Sequence, residues 1–556
     1  MTNAPPAPGS RSPVLRFPSI LFLLVILIQL PVPFSHENYL LTWFNIDDGF
    51  YYFVTARNIA AGLGVTFDGV APTNGFHPLW MALITPIFAL PGQILPLRVL
   101  AFVLILLNAA AAALLCRLAA RQLAPWPAFF TGLAFALLPP IHDYTARGGM
   151  EAGLSAFLMV LLLHRAATID PADLRDLVTT GAIGALAFLA RLDNVFLAGF
   201  VGLVLVLKSG SQPDGNDAWR RRIRRAAAYF VPLVLVVGGY MLWSQVGFGT
   251  PTPVSGQVKR WWGTLENSPY GFPPKQLANY IGQFVTDDVD IGPWSLATAP
   301  LYDAAEEFAG TDVSNRRIGL AIFGLFISAF VGLLAWSDRR RMPATIAELG
   351  LVPLLLGCLV QIGYYKIGGS VAQRPWYWIG EMLWLVLAGG VLLDMSARLI
   401  AGSLPAPGPK RATGGIVTLV LAVLLIQPHL PRMSRIFSPD IAQVESFYHA
   451  RSDWLETHTE PGASIGMTGT GSAAYFTEGR TLINLDGLIG SYEYFLSLQD
   501  GTADEYLESI GLDYVFGIEY ILTVSDPYGE IFAGRLEAVD VFEAGEQSLG
   551  LWRFTR

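Results

Sequence analysis

Charge is what this sequence has least of. Only 14% of its 556 residues are Asp, Glu, Lys or Arg, where soluble domains carry about a quarter. A chain so poor in charge cannot clothe itself in solvated side chains, which excludes an ordinary soluble protein and points to a bilayer. Basic excess is missing too: 36 Lys and Arg face 44 Asp and Glu, a formal net charge of −8. That balance excludes nucleic acid as a partner, since phosphate backbones require a basic face. Cysteine is nearly absent. Cys116 and Cys358 each lie inside an apolar run, and two small buried apolar side chains account for them better than a disulfide or a metal pair. A signal-peptidase site is also missing. Arg11 and Arg16 precede the apolar run Ile20–Leu30, but Pro31-Val32-Pro33-Phe34 follows it instead of small residues, so this run reads as an uncleaved first span.

What is abundant is hydrophobic sequence, 53% of the chain. Runs near the ~20 residues that cross a bilayer occupy roughly 17–35, 96–119, 126–142, 149–167, 177–191, 194–208, 226–247, 317–336, 346–365, 376–397 and 413–428. They predict an α-helical polytopic membrane protein with about eleven spans. The run Leu79–Leu90, closed by Pro91-Gly92, is too short to cross and suits an interfacial helix. Orientation follows from the basic loops. With the N-terminus cytoplasmic, the inner loops hold Arg117 and Arg121, then His164, Arg165 and Arg175, then Lys208 with the cluster around Arg222, then Arg339, Arg340 and Arg341, and last Arg398, Lys410 and Arg411. Three large regions then lie outside: about 36–95, about 248–316 and the tail from 429 to 556. The chain thus divides into a transmembrane module, 1–428, and an extracytoplasmic α/β domain, 429–556.

The chemistry concentrates in the first external loop. Asp47-Asp48 stands among Trp43, Phe44, Phe50, Tyr51, Tyr52 and Phe53. One acid of such a pair can take a proton from an attacking hydroxyl while its neighbour shifts its pKa, and either could help hold Mg, Mn or Ca. Glu151, Arg191 and Asp193 fall at outer span ends, where an unpaired charge is costly and ionisable groups become functional candidates. A structural Glu151–Arg191 ion pair is the plainer alternative. His142-Asp143-Tyr144 lies at another outer end, where interfacial anchoring explains it as well.

These pieces come in a telling order. Asp47-Asp48 leads to Ala56-Arg57-Asn58 and then to Asn74-Gly75-Phe76-His77-Pro78-Leu79-Trp80; Gly148-Gly149-Met150-Glu151, Ala190-Arg191-Leu192-Asp193 and Asn484-Leu485-Asp486-Gly487-Leu488 follow. The series resembles the GT-C glycosyltransferases, multi-span enzymes using polyprenyl-phosphate sugars. It is most similar to bacterial relatives of the mycobacterial terminal arabinofuranosyltransferase, and more distantly to the aminoarabinose transferases of lipid A and the protein O-mannosyltransferases. The resemblance implies a GT-C architecture, an acid of the first loop as base (Asp47 the first choice, Asp48 the other), and an inverting transfer. It implies an acceptor hydroxyl on a cell-envelope glycan, glycolipid or protein, at the bacterial inner membrane. At the position of His77 relatives vary, so His77 enters only as a supporting residue. The donor would carry a phosphate, for which Arg and Lys are the natural clamps. External candidates are Arg57, Lys259, Arg260, Lys366 and Arg374, with Arg374 first because Trp376-Tyr377-Trp378 beside it suits the headgroup level.

The tail carries a mimic. Ala463–Met467 reads as a strand, Gly469-Thr470-Gly471-Ser472-Ala473-Ala474 spells G-x-G-x-x-A, and Thr481–Leu485 is a second strand ending at Asp486. A dinucleotide site would need a longer spacing to the acid, so a small α/β domain is expected, with a helix near Ile441–Thr457 and a strand near Asp513–Ile518. Two rivals from other classes are a transporter or lipid-linked-sugar flippase and a glycan-binding scaffold. A transporter would favour internal repeats and broken mid-membrane helices; no repeat is evident.

Overall fold

The computed structural model describes residues 16–208, 218–273, 292–310, 313–403, 410–438, 446–544 and 547–555. Every apolar run expected to span forms a helix. Among the described residues, five helices are long and apolar enough to cross a membrane: Arg16–Phe34, Ile94–Ala119, Ala218–Phe248, Ile318–Ser337 and Pro375–Ser403. Three bent pairs raise that number to eight if each counts as one span. The expected eleven would need crossings by shorter helices as well. Pro125–Leu137, for example, has 13 residues and rises only about 20 Å, because the Pro139-Pro140 pair breaks what hydropathy joins. The segment Pro78–Phe88 is a separate helix of 11 residues.

One bend shapes the site. Pro139–Arg147 and Ala152–Thr168 meet at 108°, with the break at Gly148-Gly149. Gly149 has φ +72°, and a Cβ there would stand 2.4 Å from the Phe53 ring; only glycine serves. The turn leaves Glu151 at the head of the following helix. The hairpin of Leu174–Ala190 and Val195–Leu207 likewise puts Arg191 and Asp193 at its apex.

The two ends of the bundle differ. At one end, loops expected inside meet each other: Arg121 bridges to Glu348 at 3.0 Å, Arg398 to Asp338 at 2.8 Å, and Arg341 donates to the Gln122 carbonyl at 3.2 Å. At the other, the three regions expected outside converge. Asn74 donates to the Thr252 carbonyl at 3.0 Å, the Asn267 amide to Asp526 at 2.8 Å, and Arg57 to the Ala474 carbonyl at 3.1 Å.

The C-terminal domain carries a five-stranded sheet, β1 (Ser464–Met467), β2 (Thr481–Asn484), β3 (Tyr514–Gly517), β4 (Leu536–Ala544) and β5 (Gln547–Phe554), in the order β2-β1-β3-β5-β4. The first three strands are parallel; β5 runs antiparallel to β3 and β4. The helix expected near Ile441–Thr457 is described only from Ser446, as a π-turn and then Arg451–His458; residues 441–445 lie outside the described residues. This domain is packed into the bundle. Phe50 of the helix Asp47–Ala60 meets Tyr448, Tyr475 and Phe476 at 5.4 to 5.7 Å between ring centres. Truncating a buried aromatic such as Phe50 to Ala would cost about 3–5 kcal/mol.

Candidate active site

Asp47 and Asp48 open the helix Asp47–Ala60, where carboxylates complement the positive end of the helix dipole. Successive helical residues point about 100° apart, and the pair divides accordingly. Asp47 turns to the C-terminal domain: its carboxylate accepts from the Gly471 amide at 2.9 Å, the Ser472 amide at 2.8 Å and the Ser472 hydroxyl at 2.5 Å. Asp48 turns into a cavity of about 290 Å³. Tyr52, His77, Glu151, Arg191, Lys259 and Arg260 share that cavity, which Leu488 and Ile489 of the C-terminal domain help close.

The environment of Asp48 differs from open water. Burial pushes its pKa up to about 6, Asp47 and Asp486 add to the rise, and the charges of Lys259 and Arg374 oppose it. His77 is held below the usual histidine value by burial, against the pull of Glu151, so it is neutral near pH 7. Its Nε2 lies 3.6 Å from Glu151 Oε1.

The expected Glu151–Arg191 ion pair is present at 2.6 Å, and Arg191 Nε holds Asp193 at 3.0 Å. Tyr52 donates to Glu151 at 2.9 Å, and Gln361 and Tyr365 donate to Asp193 at 3.1 and 2.9 Å. With 3% of its side chain exposed, Arg191 is committed to two carboxylates, and this triad forms the cavity wall. Lys259 and Arg260 leave the helix Val254–Trp262 toward the same space. Lys259 donates to the Tyr377 hydroxyl at 2.6 Å and the Ala372 carbonyl at 3.2 Å, while the Arg260 guanidinium lies 4.6 Å from the Tyr364 ring centre.

Four expected site residues do not line the cavity: Asp47, Arg57, Lys366 and Arg374. Arg57 donates to the Tyr475 and Ala474 carbonyls at 3.0 and 3.1 Å. Arg374 precedes the turn Pro375–Trp378 in extended conformation, so Trp376 and Tyr377 line the cavity while Arg374 acts on Asp48 through its charge. Tyr52, Gln361, Tyr365 and Tyr377 were missed. Gln361, Tyr365 and Tyr377 are polar groups inside the apolar runs near 346–365 and 376–397, and Tyr52 and Tyr377 entered the sequence reading only as aromatic neighbours. Asp486 is a further buried acid. It accepts from Tyr270 at 2.5 Å, from the Gly469 amide at 2.7 Å and from Tyr51 at 3.3 Å.

Among the described residues no group of three or more His, Cys, Asp or Glu side chains is placed to hold a metal. Both Asp47 oxygens already accept hydrogen bonds, which leaves Asp48 without a partner acid from the pair. Among the described residues no cation shell is composed, and the expected divalent ion enters no step below.

No protein-family model matches the sequence, and no curated protein does. Solved structures do match. ArnT from Cupriavidus metallidurans in the apo state is similar over 96% of this chain and 97% of its own, at 13% identity and a TM-score of 0.53. Its structure bound to undecaprenyl phosphate matches over the same shares at 14% identity and 0.51. The Archaeoglobus fulgidus oligosaccharyltransferase in the apo form matches over 95% of this chain and 73% of its own, at 13% identity and 0.52. At such identities the likeness is one of fold: this chain shares the architecture of ArnT and of the archaeal oligosaccharyltransferase.

Proposed function

We propose that this chain is an integral-membrane glycosyltransferase. It moves a sugar, arabinofuranose the first candidate, from a polyprenyl-phosphate donor to a hydroxyl of an extracytoplasmic glycan, glycolipid or protein. The observation that carries the reading is the division of the acid pair: Asp48 alone opens into a cavity that also holds Lys259 and Arg260. The acceptor O–H proton passes to the Asp48 carboxylate as the oxygen bonds to the anomeric carbon. The bond from that carbon to the phosphate oxygen breaks, and its electron pair leaves with the lipid phosphate. Lys259 and Arg260 stabilise the departing charge, an electrostatic role suited to cations fixed in a partly dry site. A single displacement inverts the anomeric centre. A base with a pKa near 6 is ionised at neutral pH yet retains appetite for a proton. Neutral His77 and Tyr52 remain to orient sugar hydroxyls.

Two neighbours support the donor class. ArnT has been solved with undecaprenyl phosphate, and the archaeal oligosaccharyltransferase AglB with dolichol-phosphate. The convergence of the three long regions at one end, with the basic loops gathered at the other, supports an active site on the extracytoplasmic face of the bacterial inner membrane.

The test is transfer of radiolabelled sugar from a synthetic polyprenyl-phosphate arabinofuranose by purified protein. Asp48→Asn should lower kcat by about 10²–10⁴-fold, the usual contribution of a general base. Wild-type transfer by that variant would sink the assignment.

A further inference from the structure

The G-x-G-x-x-A turn of the tail is built like a phosphate cradle. It follows β1, opens the helix Gly471–Phe476 and precedes the parallel strand β2. In nucleotide-binding folds such amides receive an anion. Here an anion already sits on them, and it comes from the chain's other end: Asp47, 424 residues earlier, accepts from the Gly471 amide and from both the amide and the hydroxyl of Ser472. The fit is close. A Cβ on Gly471 would come within 2.2 Å of the Asp47 carbonyl oxygen.

The far end of the same short helix is held in the same way. Its last carbonyls, of Ala474 and Tyr475, accept from the Arg57 guanidinium at 3.1 and 3.0 Å. One helix of the first external loop therefore supplies an anion to the amide end and a cation to the carbonyl end of one helix of the tail. Both charges have the sign that the helix dipole favours. Between them Tyr51 reaches Asp486, and Phe50 fills the aromatic contact.

We propose that the C-terminal domain completes the active site by gripping the helix Asp47–Ala60 at both ends, with Asp47 the positioning residue that aims Asp48 into the cavity. This assigns the two acids of the pair to different tasks, and it rests on the reading of Asp48 as base. A tilt at Asp47 moves the adjacent Asp48, and misplacement by about 1 Å costs roughly 10²-fold in rate.

Two measurements test it on the full-length protein in detergent. The first is hydrogen exchange at the Gly471 and Ser472 amides, which needs no substrate. Asp47→Ala should speed exchange there about tenfold, the usual worth of a cap, and unchanged protection overturns the docking. The second is transfer from the synthetic polyprenyl-phosphate arabinofuranose. Asp47→Ala should lower kcat by about 10²-fold with donor KM little changed, and Asp47→Asn, which can still accept, should recover part of it. Because Asp48 feels Lys259, Asp47, Arg374 and Asp486, the acid limb of its pH profile should move to lower pH in Asp47→Asn. Ser472→Ala, a milder change, should weaken both readouts in the same direction. Freed amides with wild-type kcat and an unmoved profile overturn the positioning role. If Asp48→Asn keeps its activity, the base assignment fails, and the exchange result still judges the docking.

Discussion

The two ends of the helical bundle use the same residue types for opposite ends. At the end expected inside, Arg121 and Glu348 show 37% and 33% of their side chains, and Arg398, itself 37% exposed, reaches Asp338 and the buried Asp394, both at 2.8 Å. An exposed pair such as Arg121–Glu348 is screened by water and contributes little. At the outer end Glu151 and Arg191 are each 3% exposed and Asp193 4%. Water cannot compensate a charge there, so each group depends on its partner, and the three together become a rigid wall for the site. Burial, not composition, separates a topological charge from an architectural one.

The largest expected effect breaks the outer triad. Arg191→Met strands two carboxylates in a dry wall and should cost about 3–5 kcal/mol, read as a large drop in thermal unfolding temperature in detergent. Next, Lys259→Ala removes a charged donor and the main counter-charge to Asp48, and Arg260→Ala removes the cation over the Tyr364 ring. Each should lower kcat/KM by about tenfold to a hundredfold with a small change in unfolding temperature; the converse pattern would make them structural. A pH profile sharpens the same contrast. The Asp48 pKa is raised to about 6, and the proposed base must be ionised, so kcat/KM should fall as pH drops through about 6 and hold above it. The sign for stability is opposite: a raised carboxylate pKa means the folded state favours the protonated form, so Asp48 ionised works slightly against the fold above that pH. The smallest effect is at the inner end. Arg121→Ala should cost no more than about 1 kcal/mol and leave transfer at the wild-type rate.

Much of this was legible before any coordinates. Apolar runs located the helices because bilayer crossing demands length and composition that little else mimics. Asp48, Glu151, Arg191, Asp193, Lys259 and Arg260, read from the sequence as charges at span ends and in loops, line one cavity. The division of Asp47, which bonds Gly471 and Ser472, from Asp48, which lines the cavity, was not legible. Adjacent acids share every local signal, and what separates them is a helix more than four hundred residues away. The placement of Arg374 was not legible for a related reason: the short turn at Pro375 puts Trp376 and Tyr377 on the cavity wall, and Arg374 precedes it in extended conformation. The β4–β5 hairpin also escaped notice. Val539 and Val541 are 45% and 49% exposed on its outer strand, and a register shift lies between Ala538 and Asp540, which spoils the alternation that marks a strand.

The hydrogen bonds from Gly471 and Ser472 to Asp47 also carry a consequence in time. The ribosome makes Asp47 early and Gly471 late, 424 residues on, which at ~5–20 residues per second is a delay of roughly 20 to 90 s. Through that interval the membrane holds a chain with its helices inserted and its acid pair unanchored. The final domain has still to be translated before the pair can be held. A chain truncated before residue 471 would thus keep its spans and lose the hydrogen bonds that hold Asp47.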